Sequence, residues 1–368
     1  MRALRATLGW TAWLVPFIPL AIVLDVAGAS PTLIFFSSAA GVIPTAALMS
    51  RATEELAERS GPGIGGLLNV TFGNAPELII ALFALGRGLH EVVKASLIGS
   101  ILGNILLVLG AAMLVGGLGR DRQSFDRTAA SAQSSMLLLA AAAMVMPAIY
   151  VLVHGPGLPP PGVERVHFDS TVNTLSLVLA AVLMASYVAG LVFSLRTHRG
   201  LFNPPSEEAE GEHGEPWTVR RSVTMLALAG VAVGGMSEIL VSSISQAAHS
   251  IGLSEFFIGA IVVAIVGNAA EHWVAVVVAA KDKMDLAVNI AIGSSAQIAL
   301  FVMPLLVVAS FVIGPHPMGL VFNGFELAGL LLAVLIANHV TNEGESTWFE
   351  GVQLLAVYAV LGIAFAFA

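Results

Sequence analysis

The chain contains no cysteine among its 368 residues. That absence removes disulfides, thiolate metal sites and thiol nucleophiles together. Charge is scarce as well. Asp, Glu, Lys and Arg make up 11% of residues, less than half the roughly 25% of soluble domains. No basic stripe is present to hold nucleic acid, so the formal net charge of −8 points to no such partner. What remains is apolar: 57% of the residues are hydrophobic. Their runs recur along the whole length, which leaves no room for a large soluble domain. The fold class expected is an all-α polytopic membrane protein, with the lipid bilayer as its first partner.

A spanning helix needs about 20 mostly apolar residues. That rule places spans near 8–25, 31–57, 62–86, 92–118, 129–153, 171–195, 218–247, 254–280, 284–313, 322–341 and 347–367, about eleven in all. The first follows a basic start and is read as a retained helix, not a cleaved leader. Basic residues set the orientation. With the N-terminus inside, thirteen of the sixteen Lys and Arg fall on inner segments, leaving Arg87, Lys94 and Arg165 outside. The expected location is a prokaryotic plasma (inner) membrane, with the N-terminus cytoplasmic and the C-terminus outside. An acidic stretch at 201–216, "LFNPPSEEAEGEHGEP", divides the chain. It reads as a solvated cytoplasmic linker or as a segment that attracts cations.

The polar residues inside the apolar runs repeat. A shift of 194 positions lays "GNAPE" at 73–77 on "GNAAE" at 267–271, and Ile98-Gly99-Ser100 on Ile292-Gly293-Ser294. A gapped match pairs Glu54 in "TEELA" with Glu238 in "SEILV". Chance agreement between apolar segments is easy for Ala, Val and Leu, and much harder for Asn and Glu. The two motifs fall on the third and eighth spans, an odd offset that inverts the second copy in the membrane. The domains expected are an extra N-terminal helix (1–28), a first five-helix half (29–200), the linker, and a second, inverted five-helix half (217–368). Inverted repeats are the build of many secondary transporters, whose sites lie near the midplane.

A charge at the bilayer centre costs about 2.5–3.5 kcal/mol on insertion scales, so it marks a cavity, a partner or an ion path. Asn74 and Glu77 are three residues apart, as are Asn268 and Glu271, so each pair shares a helix face. Two such faces would bring carboxylate and amide oxygens together. Those are hard donors, suited to calcium and not to zinc. Pro76 has no N–H, which deprives the Phe72 carbonyl of its helical partner, while Gly73 and Gly267 are expected to loosen the backbone further. With Ala270 in place of proline, the second break is expected to rest on Gly267. A cation and protons would exclude one another at such carboxylates. Ser100, Asn104, Ser294 and Gln297 suit either a hydrogen-bonding layer and proton path or ordinary interhelical bonding. His272 is placed to relay protons or simply to pack as a neutral ring.

These stretches resemble the calcium/proton exchanger (CAX-type) family of the cation/calcium exchanger superfamily. "GNAPELIIALFAL" with "GSILGN" carries the resemblance in the first half, and "FIGAIVVAIVGNAAEHWVAVVVAAKDKMDLAVNIAIGSSAQIALFVMP" in the second. "TNEGESTWFEGVQLLAVY" is similar to a further family segment, although Glu343 stands where the family more often has Asp. The resemblance implies that Glu77 and Glu271 are the central calcium and proton carboxylates, with Asn74 and Asn268 beside them. Ser294 and Gln297, and Ser100 with Asn104, would lie on the facing helices. Glu54 and Glu238 would be acidic positions near the inner vestibule. It further implies a secondary antiporter that exports cytosolic calcium in exchange for protons by alternating access. A sodium/calcium or manganese/proton exchanger of the same fold is the alternative. Calcium and protons are substrates; no resident cofactor is expected, and a homo-oligomer is left open. Enzymatic chemistry is not expected, because "HEVVK" at 90–94 lacks the second His of a zinc-protease helix.

Overall fold

Long apolar stretches with few internal breakers fold as helices, since in lipid every backbone polar group must be satisfied within its own segment. The computed structural model describes residues 7–161, 170–197 and 217–368. The linker at 201–216, together with Arg2, Arg5, Arg165 and Arg199, lies outside the described residues. Helix α1 spans Gly9–Val26, opening with a short 3₁₀ stretch, and α2 spans Pro31–Arg59. Two short helices follow, α3 (Gly61–Phe72) and α4 (Ala75–Gly86). Then come α5 (His90–Gly117), α6 (Arg127–His154), α7 (Ser170–Thr197), α8 (Val219–Ile251), α9 (Glu255–Ala280), α10 (Met284–Ala309), α11 (Gly324–Glu343) and α12 (Trp348–Ala366). Among the described residues, ten of these helices are long and apolar enough to cross a membrane.

The eleventh crossing is split. The span expected at 62–86 is two helices of 12 residues each, parted at Gly73–Asn74. Each is about 18 Å long, too short to cross a core about 30 Å thick. Gly73 closes α3 by donating to Asn69 O (2.7 Å), and α4 restarts with Leu78 N on Asn74 O (3.1 Å). Pro76 sits at the second position of α4, where a missing N–H costs nothing. The second copy differs. Gly267 does not loosen α9, which runs as regular α-helix over Ala264–Ala280. Ala270 keeps the N–H that Pro76 lacks, so a single glycine does not open the ladder there. The irregularity in α9 lies earlier, as a π-helical segment at Ile258–Val263.

Packing divides the chain into two compact units that cut across the sequence halves. One comprises residues 1–83, 188–251 and 266–270. Its frame is α2 laid antiparallel on α8. Thr32 and Ser250 share a hydroxyl hydrogen bond at one end (2.8 Å). At the other, Glu55 takes the Trp217 backbone N–H (2.9 Å) and pairs with Arg51 (2.5 Å). Between them, a side chain on Gly41 would meet Met236 Sδ at 2.9 Å. Met49, Ala75, Ala229 and Val233 form an apolar cluster that seats the start of α4 on this pair.

The other unit comprises residues 84–187, 252–265 and 271–368. Here α5 and the first turns of α9 touch backbone to backbone, with Gly99 over the Ala260 carbonyl. Glycines bring α12 equally close to the end of α5, Gly110 and Gly351 facing each other. Two short strands, β1 (Gln123–Ser124) and β2 (Glu345–Ser346), pair antiparallel and tie the loop after α5 to the loop before α12. Large apolar side chains within the spanning helices, such as Val23 on α1, Val231 on α8 and Leu335 on α11, remain exposed, as lipid-facing residues must.

Candidate functional site

Each motif places its amide and carboxylate on one helical turn. In the first copy the turn begins α4: Asn74 precedes it, Glu77 lies in its first turn, and both are buried. A carboxylate there meets the positive end of the helix dipole. Within the same unit, the Glu77 side chain lies against Gly267. A Cβ on that glycine would stand 3.4 Å from Glu77 Oε1 and 3.5 Å from its Cγ. Gly267 therefore serves close approach by a carboxylate, the role left to it once its helix proves unbroken. Asn268, next in the chain, is fully buried. Phe72 packs its ring against the apolar cluster that holds Ala75, leaving its carbonyl at the helix break.

Helix α9 passes from one unit to the other between Ala270 and Glu271. In the second unit, half-buried Glu271 accepts a hydrogen bond from Ser294 Oγ on α10 (3.2 Å). The next residue, His272, shares a hydrogen bond through Nε2 with Asn104 Oδ1 (3.0 Å). Asn104 is buried in a π-helical segment of α5, Gly103–Val108, and Ser100 is buried one turn earlier. Gln297 is half-buried one turn beyond Ser294. Glu271, Ser294, His272 and Asn104 thus form two hydrogen-bonded pairs that leave α9 side by side. Glu54 and Glu238 lie on α2 and α8 with exposed side chains.

Three polar groupings had not been singled out from the sequence. Glu55, not its neighbour Glu54, is the buried acid near the end of α2. Buried Lys94 donates to Glu91 and to the Val321 carbonyl (3.1 Å), while Glu326 closes a capping box with Asn323 at the start of α11. Gln133 on α6 donates to Asn289 Oδ1 on α10 (2.5 Å). Glu55 stood inside the quoted "TEELA", Glu91 and Lys94 inside "HEVVK" and Asn289 inside the long second-half motif, while the remaining partners are set by contacts far apart in sequence.

The motif residues of each unit offer carboxylate or amide oxygens, with hydroxyl and backbone oxygens beside them. Among the described residues no group of three or more His, Cys, Asp and Glu side chains is poised around a metal.

Comparison with known proteins agrees with this architecture. The family model described as "Sodium/calcium exchanger protein" matches residues 30–196 and 221–367, the two halves that follow α1. The chain is 43% identical over 374 residues to a "Ca(2+)/H(+) antiporter" of Synechocystis sp., covering 96% of each. It is 44% identical over 326 residues to "Ca(2+)/H(+) antiporter ChaA" of Bacillus subtilis, covering 88% of this chain and 89% of that one. The solved structure of native YfkE superposes with a TM-score of 0.81 at 38% identity, covering 97% of this chain and 100% of that chain.

Proposed function

The chain belongs to the sodium/calcium exchanger family, and on that premise we propose that it exports calcium from the cytoplasm in exchange for protons. It is an integral membrane protein, and the transporters to which it is related are not catalytic enzymes. The observation that carries the reading is the pair of Asn-x-x-Glu turns, one on each repeat, buried at Asn74, Glu77 and Asn268 and half-buried at Glu271, with Glu77 lying on the backbone of Gly267. Glu77 and Glu271 supply the charge, and Asn74 and Asn268 the amide oxygens. The Phe72 carbonyl, with the backbone at Gly73 and Gly267, completes the shell together with water.

In this mechanism calcium and protons compete for the same oxygens. A divalent ion holds both carboxylates ionised; two protons replace it with equal charge. Ser294 steadies the Glu271 carboxylate, and the Asn104–His272 pair, with Ser100 and Gln297, offers a proton route beside it. Glu54 and Glu238 line the approach from the inner side. The site opens alternately to each face of a prokaryotic plasma membrane, the N-terminus inside and the C-terminus outside.

Calcium uptake into proteoliposomes under an imposed pH gradient tests the reading, run with and without sodium. Uptake is expected to follow the proton gradient, to ignore sodium, and to be unmoved by a membrane potential. A sodium requirement would transfer the protein to sodium/calcium exchange; potential-driven flux would reject the two-proton balance. Gly267→Ala probes the same site. Its methyl would stand 3.4 Å from Glu77 Oε1, at the near edge of ordinary contact, and would take up the room beside the carboxylate. Calcium affinity should fall by about fivefold, equivalent to roughly 1 kcal/mol, with the protein still folded. Gly267→Val should lose uptake. Full uptake by the valine variant would remove Gly267 from the site.

A further inference from the structure

Ser294 reaches Glu271 from an unusual stretch of backbone. It directly follows a π-helical segment of α10, Asn289–Gly293, and a second such segment begins at Ile298. Isolated π turns lie frequently at functional sites, because the extra residue re-aims the side chains that follow. A π turn is also less stable than α-helix, so something must hold it. The Gln133 amide touches the segment at both ends. Its Nε2 donates to Oδ1 of Asn289, the first residue (2.5 Å). The same group lies 3.4 Å from where a Cβ on Gly293, the last residue, would stand, and its Oε1 lies at 3.5 Å. Gln133 Oε1 is itself buried with no hydrogen-bond partner among the described residues, so the Asn289 contact alone orients the amide.

We propose that Gln133 is a positioning residue for the exchange site: it clasps the Asn289–Gly293 turn and thereby aims the Ser294 hydroxyl at Glu271. This inference rests on the reading of Glu271 as a cation and proton carboxylate. A Cβ on Gly293 would stand 3.2 Å from Asn289 Oδ1, a tight contact, and in ordinary contact with the Gln133 amide, so glycine there leaves the clasped pair undisturbed. The aligned residue in the first repeat, Gly99, meets the Ala260 carbonyl instead, so the clasp belongs to one repeat only.

The experiment is calcium uptake into proteoliposomes over a range of calcium concentrations, separating apparent KM from maximal rate. Gln133→Ala is expected to raise the calcium KM about fivefold, the effect of one lost hydrogen bond, with little change in maximal rate. Asn289→Ala, which breaks the same contact from the other side, should match it. Asn289→Asp should stay close to the parent, since its carboxylate still accepts the Gln133 N–H. In a Ser294→Ala background, Gln133→Ala should add nothing. A wild-type KM for both alanine variants, or additive effects of Gln133→Ala and Ser294→Ala, would overturn the clasp. Glu271→Gln run in parallel keeps the two readings apart. If it transports normally, the role of Glu271 falls; if it is inactive while both alanine variants are wild type, only the clasp falls.

Discussion

Glu77→Gln and Glu271→Gln should each abolish proton-driven calcium uptake while leaving a folded protein. The substitution keeps shape and one acceptor oxygen, and removes two things at once: a negative charge on the ion and a group that can release a proton. Hydrogen bonds and contacts to charged groups contribute about 1.5–3 kcal/mol, so calcium affinity should fall by about 10- to 150-fold. Turnover should fail more completely, because an amide cannot trade calcium for a proton. Glu77 is buried, and placing a neutral amide there removes a desolvation cost, so the unfolding temperature without calcium should hold or rise. The protection that calcium gives against unfolding should shrink in parallel. Binding by titration calorimetry and uptake in proteoliposomes check the two halves separately. Near-normal uptake by either variant would remove that glutamate from the exchange.

Gly99→Ala should cost far more in folding than the same methyl added at Gly41 or Gly267, where at most one side chain has to give way. Its Cβ would stand 2.0 Å from the Ala260 carbonyl oxygen and 2.6 Å from the carbon. Both atoms belong to backbone, so no rotamer change relieves the clash, and α5 must separate from α9. The contact is mutual: Gly259 faces Val92 and Ala95 of α5, with a Cβ there only 3.1 Å from the Val92 carbonyl oxygen. Overpacking a close contact costs about 1–3 kcal/mol and more where backbone must move, set against a total stability of about 5–15 kcal/mol. We expect a sharp loss of monodisperse protein and a lowered unfolding temperature, with larger losses for Gly99→Val. Gly230→Ala on α8 is the comparison. Nothing lies within 4 Å of its Cβ position, and alanine gains about 1 kcal/mol of helix propensity over glycine. Equal stability of the two alanine variants would contradict the close packing of α5 and α9.

The amino-acid sequence alone determined that this is a helical membrane protein with repeated halves. Apolar runs long enough to cross a bilayer leave no other backbone solution, and Asn and Glu repeated inside oil do not recur by chance. It also located the break at Gly73–Asn74, since a proline acts on its own helix through its missing N–H. The tertiary structure decided the rest. It kept α9 unbroken at Gly267 and gave that glycine a carboxylate to accommodate. It chose Glu55 over Glu54 for burial, drew both compact units from both halves, and brought Gln133 to a partner 156 residues away. The physical reason is common to all of these. In a soluble helix, the contrast between polar and apolar faces marks the side that packs. In a helix apolar all round, lipid and protein neighbours attract alike, and the choice falls to small residues and buried hydrogen bonds. Those depend on what arrives across the gap, which local sequence does not encode.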